Sequence, residues 1–297
     1  MTGLETGHVD EWRGEDISLA DLRARLAAVR ASPAAGHSDL RTSVMTHTAW
    51  VPRPWLDAAR GALSGLADKH PSRTILLVPE PDAGRDAIDA TVSMQCFDIP
   101  GESRHVCSEV IELHLCGERA AAPASIVEPL LVADLPVFSR WRGRPPFGSR
   151  AFEQMLGVVD RLIVDSAEWD DVPDAYGWLV ECFDRTAVSD LAWRRSLHWR
   201  ASIATMWPAI AEAKAVRVVG PKADALLLVG WLRSRLERAV ELELDEAEEF
   251  DAVAVDGTTV RPPRDSRPDP SALLSAELDQ FGRDRVYEEA VRAARRS

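Results

Sequence analysis

The sequence contains little of what marks secreted, zinc-binding or membrane-spanning proteins. Its 297 residues include four cysteines, Cys96, Cys107, Cys116 and Cys182, none of them in a C-x-x-C pair. So few cysteines exclude a disulfide framework and speak against a structural metal. The longest nearly unbroken apolar run, residues 225–232, is far shorter than the roughly 20 residues that span a bilayer. The N-terminus is acidic and lacks the features of a secretory signal. We therefore expect a cytoplasmic protein without a membrane partner.

The negative net charge and the absence of common catalytic motifs argue against several classes of function. The chain carries 35 Lys and Arg against 48 Asp and Glu, a formal net charge of −13. Such a field repels phosphate backbones, so we expect no nucleic-acid partner. The sequence has no glycine-rich nucleotide loop, no H-E-x-x-H and no G-x-S-x-G. We therefore predict no catalytic residues, no cofactor and no metal, and a protein that is not an enzyme.

The order of strand-like and helix-like segments predicts an α/β fold. Residues 41–51 and 72–81 are typical of strands and flank a helical segment at 55–69, which indicates a crossover unit. Residues 87–97 and 104–116 resemble a hairpin, so the sheet should be mixed and largely parallel, with flanking helices. We expect a helix and connector at 1–40, an α/β domain at 41–168 and a smaller α+β domain at 169–297.

Two stretches combine tryptophan with arginine, the residue types that are enriched in interface hot spots. One is a predicted helix over residues 191–213, and the other is a predicted loop over residues 140–146. Core packing of the helix and a solvated loop are the alternatives. The candidate partner-binding residues are Arg140, Trp141, Arg142, Arg144, Trp193, Arg194, Trp199 and Arg200.

Cysteine and histidine suggest two further kinds of site. Cys96 and Cys107 flank the predicted hairpin turn, so they are a candidate redox pair, with two unreactive thiols as the alternative. His105 and Cys107 precede His114 and Cys116 by nine residues. That spacing separates the pairs by about 30 Å along a strand and places them on opposite faces, which argues against one shared metal site.

Asp165 and Ser166 follow a predicted buried strand. Ligands of open α/β sheets gather at such strand ends. A sugar phosphate or nucleotide could therefore dock there, with Arg140 or Arg144 for the phosphate. The alternative is that Asp165 or Ser166 only caps the following helix.

Several segments together resemble a known family. They are HPSRTILLVPEP, VCSEVIELHLCG, PASIVEPLLVADLPVFSRWRGRPP, DRLIVDS, DLAWRRSLHWR, LLLVGWLRSRL and LLSAELDQFGRDRVYEEAV. Their order over residues 41–291 resembles the OpcA family, the glucose-6-phosphate dehydrogenase assembly proteins, in its actinobacterial type. The resemblance implies a non-catalytic partner that promotes assembly or allosteric activation of that dehydrogenase in the oxidative pentose phosphate pathway. It supplies no catalytic residues.

Overall fold

The computed structural model describes residues 10–31, 43–66, 69–98, 105–262 and 269–295. Within this part the strands are β1 (Asp10–Gly14), β2 (Met45–Trp50), β3 (Ser72–Glu80), β4 (Ile88–Asp98), β5 (His105–Cys116), β6 (Val137–Trp141), β7 (Arg161–Val164), β8 (Ala187–Asp190), β9 (Ala215–Gly220), β10 (Glu241–Glu246), β11 (Ala252–Val255) and β12 (Thr258–Val260). The α-helices are α1 (Leu19–Ala31), α2 (Leu56–Ser64), α3 (Pro123–Val127), α4 (Arg150–Leu156), α5 (Ala175–Cys182), α6 (Leu191–Arg195), α7 (Leu197–Ala204), α8 (Lys222–Leu236), α9 (Pro270–Leu278) and α10 (Arg285–Ala294). No helix of these ranges combines the length and the apolar character that crossing a membrane requires.

An eight-stranded sheet has the order β1-β4-β5-β3-β2-β6-β7-β8. Its centre is parallel, because β3 pairs in parallel with β2 and β5, and β2 with β6. The strands β2, β3 and β6 are buried along most of their length, as expected where helices cover both faces. The predicted mixed, largely parallel sheet is therefore confirmed. The chain divides into two compact units, Met1–Leu162 and Ile163–Ser297, with the division inside β7.

The N-terminal segment contributes an edge strand that the sequence did not reveal. Strand β1 pairs antiparallel with β4, with Trp12 opposite Val92. Its sequence, DEWRG, is mostly charged and has too little apolar alternation to indicate a strand. The helix α1 was expected, and it buries Leu22 and Leu26 on one stripe.

The predicted hairpin is present as β4 and β5. The two strands pair antiparallel over eleven positions, from Ile88 opposite Leu115 to Asp98 opposite His105. The register places Cys96 directly opposite Cys107. Both backbones are described, whereas their side chains lie outside the described residues.

The second unit contains a smaller sheet of four strands in the order β10-β9-β11-β12. Strands β9 and β10 are parallel and β11 is antiparallel to β9. The helix α8 packs against this sheet and is buried around most of its surface, including Leu227 and Val229. A helix that is apolar on all sides must be covered on all sides.

The predicted single helix over residues 191–213 is wrong, because the chain breaks it at Ser196. Helix α6 ends at Arg195 and α7 begins at Leu197. The Ser196 hydroxyl donates to the carbonyl oxygen of Trp193 at 2.8 Å, the local bond by which serine competes with a helical backbone. Helix α7 in turn ends at Ala204, short of the predicted end at Ala213.

Candidate functional site

Strand β6 ends with two buried residues, Arg140 and Trp141, so the predicted loop over residues 140–146 begins only at Arg142. Trp141 is 1% exposed and stacks on Trp50 with ring centroids 4.8 Å apart, while the edge of Phe152 packs against it. Arg140 is also buried, and its guanidinium donates to the carbonyl oxygen of Trp141 at 2.9 Å. Burial corrects the expectation that Arg140 and Trp141 touch a partner directly, since both side chains form part of the interior of the first unit.

Arg142 and Arg144 stand nearer to solvent, in the loop that follows β6. The guanidinium carbon of Arg142 lies 4.4 Å from the ring centroid of Trp55, and that of Arg144 lies 5.4 Å from the ring of Phe147. Such stacking holds a guanidinium in a fixed plane without neutralising it. Arg142 is half-buried and Arg144 exposed. The loop therefore places two guanidinium groups, each stacked on an aromatic ring, after the carboxyl end of β6.

A cleft of about 550 Å³ lies at the carboxyl ends of β2, β3 and β5. It is lined by Trp50, Arg85, Asp86 and Glu118, among others. An Asp86 carboxylate oxygen accepts the backbone N–H of Glu118 at 2.8 Å, so a carboxylate already occupies the start of the 3-10 helix Gly117–Ala121. This arrangement leaves little attraction for an anion, although the cleft is at the edge where sheets of this kind bind ligands.

A chain of charged groups crosses the face of β3 and β5. The His114 imidazole lies 2.9 Å from carboxylate oxygens of both Glu80 and Glu112, and Arg60 donates twice to Glu112. Hydrogen bonding to Glu112 raises the pKa of His114. Although burial opposes it, bonding from His114 and Arg60 lowers the pKa of Glu112 to about 2. These four side chains form an ion-pair network, and none of them is a nucleophile placed in a cleft.

The tryptophans and arginines of α6 and α7 are mostly internal to the second unit. Trp193 and Trp199 are 5% and 6% exposed. The indole N–H of Trp193 donates to Asp284, and the guanidinium of Arg200 lies over the Trp193 ring at 3.2 Å. Burial lowers the pKa of Arg200 to about 9. Arg194 is bonded to Glu277. The structure thus favours the core alternative for Trp193 and Trp199.

Other large apolar side chains are exposed in the second unit, and the sequence analysis missed them. They are Trp178, Leu197, Trp207 and Phe281, which are 49%, 40%, 67% and 68% exposed. For two of them the surrounding sequence indicates a position at the surface. Trp207 directly precedes a proline where a helix must end, and Phe281 lies in the turn-forming segment DQFGRD between two helices.

A second cavity, of about 400 Å³, lies at the carboxyl end of β9, where the strand-end residue Asp165 also faces it. Asp165 caps the 3-10 helix Ser166–Glu168 by accepting the backbone N–H of Ala167 at 3.2 Å, so the predicted cap is present. Trp199 and Phe250 form one wall and stack with centroids 5.3 Å apart. The described residues that line it are Asp165, Ala167, Glu168, Arg195, Trp199, Pro221, Glu248, Glu249, Phe250, Asp251 and Pro262.

Arg195 in this cavity is held between two carboxylates. It donates to both oxygens of Asp165, at 2.9 and 2.7 Å, and to both oxygens of Asp224, at 2.9 and 3.1 Å. These bonds occupy four of the five N–H groups that a guanidinium has. Although burial opposes the shift, Asp165 and Asp224 raise the pKa of Arg195. Burial in turn raises the pKa of Asp224 to about 6. The guanidinium is therefore committed within the protein rather than presented to a phosphate.

Within the described ranges, the cysteines and histidines form no metal site. No group of three or more His, Cys, Asp and Glu side chains converges in the described ranges. Cys116 and Cys182 are buried free thiols. The redox pair of Cys96 and Cys107 has the register that a cross-strand bond requires, and it stays a prediction.

Comparison with known proteins adds what the geometry alone does not. Residues 64–178 match the family model described as the glucose-6-phosphate dehydrogenase subunit N-terminal domain. Residues 186–291 match the corresponding C-terminal domain. The two matches together cover well over half of the chain. The chain belongs to the OpcA family.

Curated relatives carry the same name. Proteins named OpcA and provisionally assigned to the OxPP cycle are 28% identical over 184 residues in Nostoc punctiforme and 24% identical over 235 residues in Synechococcus elongatus. The matches cover 58% and 75% of this chain, and 39% and 49% of those relatives. A third, from Synechocystis, is 27% identical over 194 residues, which are 59% of this chain and 40% of that relative. The matched region thus spans half or less of each OpcA relative's length.

The candidate surface residues fall inside the two OpcA matches. Arg142 and Arg144 lie in the N-terminal match, and Trp207 and Phe281 lie in the C-terminal one. The second cavity receives its Trp199 and Phe250 from the C-terminal match as well.

Proposed function

We propose that this OpcA family member is a non-catalytic assembly factor and allosteric activator of glucose-6-phosphate dehydrogenase. It would act in the cytoplasm on the oxidative pentose phosphate pathway, as an actinobacterial member of the family. The observation that carries the proposal is the pair of family matches, one in each half of the chain, which both describe a subunit of that dehydrogenase.

The exposed side chains of the second unit support a protein partner. Trp207 and Phe281 are each about two thirds exposed, at 67% and 68%. Large aromatic side chains gain free energy when a partner covers them, and tryptophan is enriched among interface hot spots. In the first unit, Arg142 and Arg144 are stacked on aromatic rings, and arginine is a residue type enriched at interface hot spots.

Activation requires a difference in affinity between two states of the dehydrogenase. A partner that binds the active oligomer more tightly than the inactive one shifts the equilibrium by that difference and no more. A selectivity of about 100-fold would supply about 2.7 kcal/mol. No bond to the dehydrogenase substrate is needed for this effect.

The alternative function, a sugar-phosphate or nucleotide enzyme that uses Asp165 and Ser166, has less support. Among the described residues that line the cavity beside Asp165, the one guanidinium is that of Arg195, and it is engaged by Asp165 and Asp224. Arg140, which was a candidate for holding the phosphate, is buried and bonded to a backbone carbonyl.

A reconstitution experiment tests the proposal. The dehydrogenase from the same organism is assayed with and without the purified chain, and the oligomeric state is followed by size-exclusion chromatography with light scattering. We expect a stable complex, a larger share of the active oligomer and a higher specific activity. An unrelated acidic protein of similar net charge serves as the control. A dehydrogenase that stays equally active and equally assembled in both samples would overturn the proposal.

Calorimetry separates the two functions. Glucose 6-phosphate and NADP are titrated into the chain alone. We expect no saturable heat with either compound. A micromolar isotherm, or turnover of either compound by the chain alone, would favour the enzyme instead.

A further inference from the structure

His114 lies between two carboxylates, one on each side of its ring. Its Nδ1 atom is 2.9 Å from an oxygen of Glu80 at the end of β3, and its Nε2 atom is 2.9 Å from an oxygen of Glu112 on its own strand, β5. An ionised carboxylate only accepts hydrogen bonds, and a neutral imidazole has a single N–H to donate. Both contacts are therefore satisfied only by the protonated ring, which donates from both nitrogens.

Arginine side chains hold both carboxylates in the ionised form. Arg60 of α2 donates to the two oxygens of Glu112, at 2.7 and 2.9 Å. Arg53 donates to Glu80 at 2.6 Å. Such charge-assisted bonds favour the ionised carboxylate. The titratable proton of this network therefore belongs to His114.

The strands on either side bring further titratable groups to His114. Asp89 of β4 is directly opposite His114 in the register of the two strands, and Arg85 binds that carboxylate. Cys116 is a buried thiol 3.9 Å from Glu80, and burial raises the pKa of this thiol, which keeps it neutral. The titratable and charged groups described around His114 are thus Glu80 on β3, Asp89 on β4 with its partner Arg85, Glu112 and Cys116 on β5, and Arg60 on α2.

We propose that protonated His114 is a pH-sensitive clamp between the end of β3 and helix α2, and that the clamp opens at its Glu80 side when the ring loses a proton. The neutral ring keeps one N–H, and the more buried carboxylate needs it more, because water reaches that carboxylate less easily. The side chain of Glu112 is 11% exposed and that of Glu80 is 22% exposed. The remaining hydrogen therefore stays on Nε2, towards Glu112, and the bond from Nδ1 to Glu80 is lost.

Opening of the clamp loosens the rim of the cleft at the carboxyl ends of β2, β3 and β5. Glu80 lies between Pro79 and Pro81, which line that cleft, and its carbonyl oxygen accepts the N–H of Ala83 in the turn that follows. Loss of the Nδ1 bond leaves Glu80 bonded to Arg53, whose side chain is 70% exposed. The proton-dependent contact thus lies at the edge where sheets of this kind bind ligands.

A pH titration of the full chain by NMR tests the clamp. The histidine ring nitrogens are isotope-labelled, and the spectrum shows which of them carries hydrogen at each pH between about 5.5 and 9. The His114 signals are those that disappear in His114→Gln. If that variant does not fold, they are identified by their displacement in Glu112→Gln.

We expect the pKa of His114 to lie above the value of about 6.5 for an ordinary histidine, because Glu112 and Glu80 bond to its charged form. Above that pKa, hydrogen should remain on Nε2 alone. Glu80→Gln and Glu112→Gln should each lower the pKa of His114. The control Glu128→Gln removes the same charge at an exposed position of the 3-10 helix Glu128–Leu130 and should leave it unchanged.

Stability should change with the same proton. The folded chain binds the His114 proton more tightly than the unfolded chain does, so the stabilisation is complete below about pH 6.5 and is lost as pH rises through the pKa of the folded chain. Urea unfolding at about pH 6 and pH 8.5 should therefore show a smaller loss of unfolding free energy in His114→Gln than in the parent.

Three results would overturn the proposal. They are a His114 ring that titrates at or below the ordinary histidine value, an unchanged pKa of His114 in both Glu80→Gln and Glu112→Gln, and a neutral ring that keeps its hydrogen on Nδ1. Because the dehydrogenase is absent from these measurements, their outcome is independent of whether the chain activates that enzyme.

Discussion

Burial, rather than residue type, decides what each singled-out side chain can do. Trp141 was a candidate contact residue and Trp207, which is equally large, was not, yet their exposed fractions are 1% and 67%. Trp141 stacks on Trp50 at the ends of the neighbouring strands β6 and β2, whereas Trp207 lies three residues beyond the end of α7 and directly before a proline. The residue type alone does not show whether a tryptophan is buried in a core or exposed at a surface that binds a partner.

His47 is a buried residue whose titration affects the stability of the fold. It lies in β2, is 1% exposed, and its Nε2 atom has no hydrogen-bond partner within the described part of the chain. Burial lowers the pKa of His47 to about 4, and the positive charge of Arg140 and the neighbouring His70 act in the same direction. The native protein therefore holds this imidazole neutral.

We predict that His47→Gln reduces the loss of stability on acidification. The unfolded chain protonates His47 near pH 6.5 and the folded chain only near pH 4, so the unfolded state binds more protons between these values. The stabilisation that comes from this pKa difference is thus complete above pH 6.5 and is lost as pH falls towards 4. The free energy of unfolding falls by about 3 kcal/mol over this range. Urea unfolding at pH 7 and pH 4 gives the loss of unfolding free energy for the variant and for the parent, and the difference between the two losses is the effect of His47.

The control for that measurement is His198→Gln, at a partly exposed position of α7. It measures the effect of replacing a histidine that lies outside β2. Buried Asp190, whose pKa burial raises to about 7, shifts stability with pH in the opposite direction, which is why the comparison must be between variants. Equal losses of stability in His47→Gln and in the parent would contradict the prediction.

At the scale of elements, α8 and α10 approach closely at a glycine. A Cβ at Gly230 would overlap the carbonyl oxygen of Ala290 and lie 2.9 Å from the backbone nitrogen and side chain of Ala294. Gly230 is buried in the middle of α8, where glycine costs helix stability unless close packing repays it. The glycine therefore marks a helix contact within the second unit.

We predict that Gly230→Ala destabilises the protein by about 1–3 kcal/mol, because the added methyl group must push α10 away. Gly61→Ala is the matched control, since Gly61 lies in α2 with nothing within 4 Å of an added Cβ. It should raise stability by about 0.5–1 kcal/mol through helix propensity. Denaturant unfolding of both variants tests the pair, and an unchanged stability in Gly230→Ala would refute the close contact.

The β4–β5 hairpin makes the redox prediction specific. Directly opposed residues of antiparallel strands have Cα atoms about 4.5–5.5 Å apart, within the range that a disulfide spans. Cys96 and Cys107 are opposed in this way. The register therefore meets the backbone requirement for a bond between them.

Oxidation should accordingly remove two titratable thiols from the unfolded protein and raise stability by about 2–3 kcal/mol through the closed loop. Cys96→Ser should abolish both effects. Cys182→Ser should preserve them, because Cys182 is buried in another unit of the chain. Thiol counting by mass spectrometry gives the answer, and a loss of two thiols that persists in Cys96→Ser would exclude this pair.

At the scale of the whole chain, the sequence predicted the architecture better than the surface. Alternating strand and helix signals indicated the mixed, largely parallel sheet, because buried parallel strands such as β3 are continuous apolar runs. The order of many weakly specific segments indicated the family. The break at Ser196 depends on one side-chain bond. The cavity walls Trp199 and Phe250 are about fifty residues apart. Neither feature can be read from local periodicity.

The exposed aromatic residues of the second unit carry the last prediction. We expect Trp207→Ala and Phe281→Ala each to weaken binding of the dehydrogenase about tenfold or more, the effect of losing an interface hot spot. Stability should change by less than about 0.5 kcal/mol, because both side chains are already largely in solvent. Val44→Ala is the control, at a 45% exposed position of the first unit. Isothermal titration with the dehydrogenase measures all three variants. If Trp207→Ala and Phe281→Ala bound with the affinity of the parent while Val44→Ala did not, the contact surface would belong to the first unit, where Arg142 and Arg144 would become the residues to change.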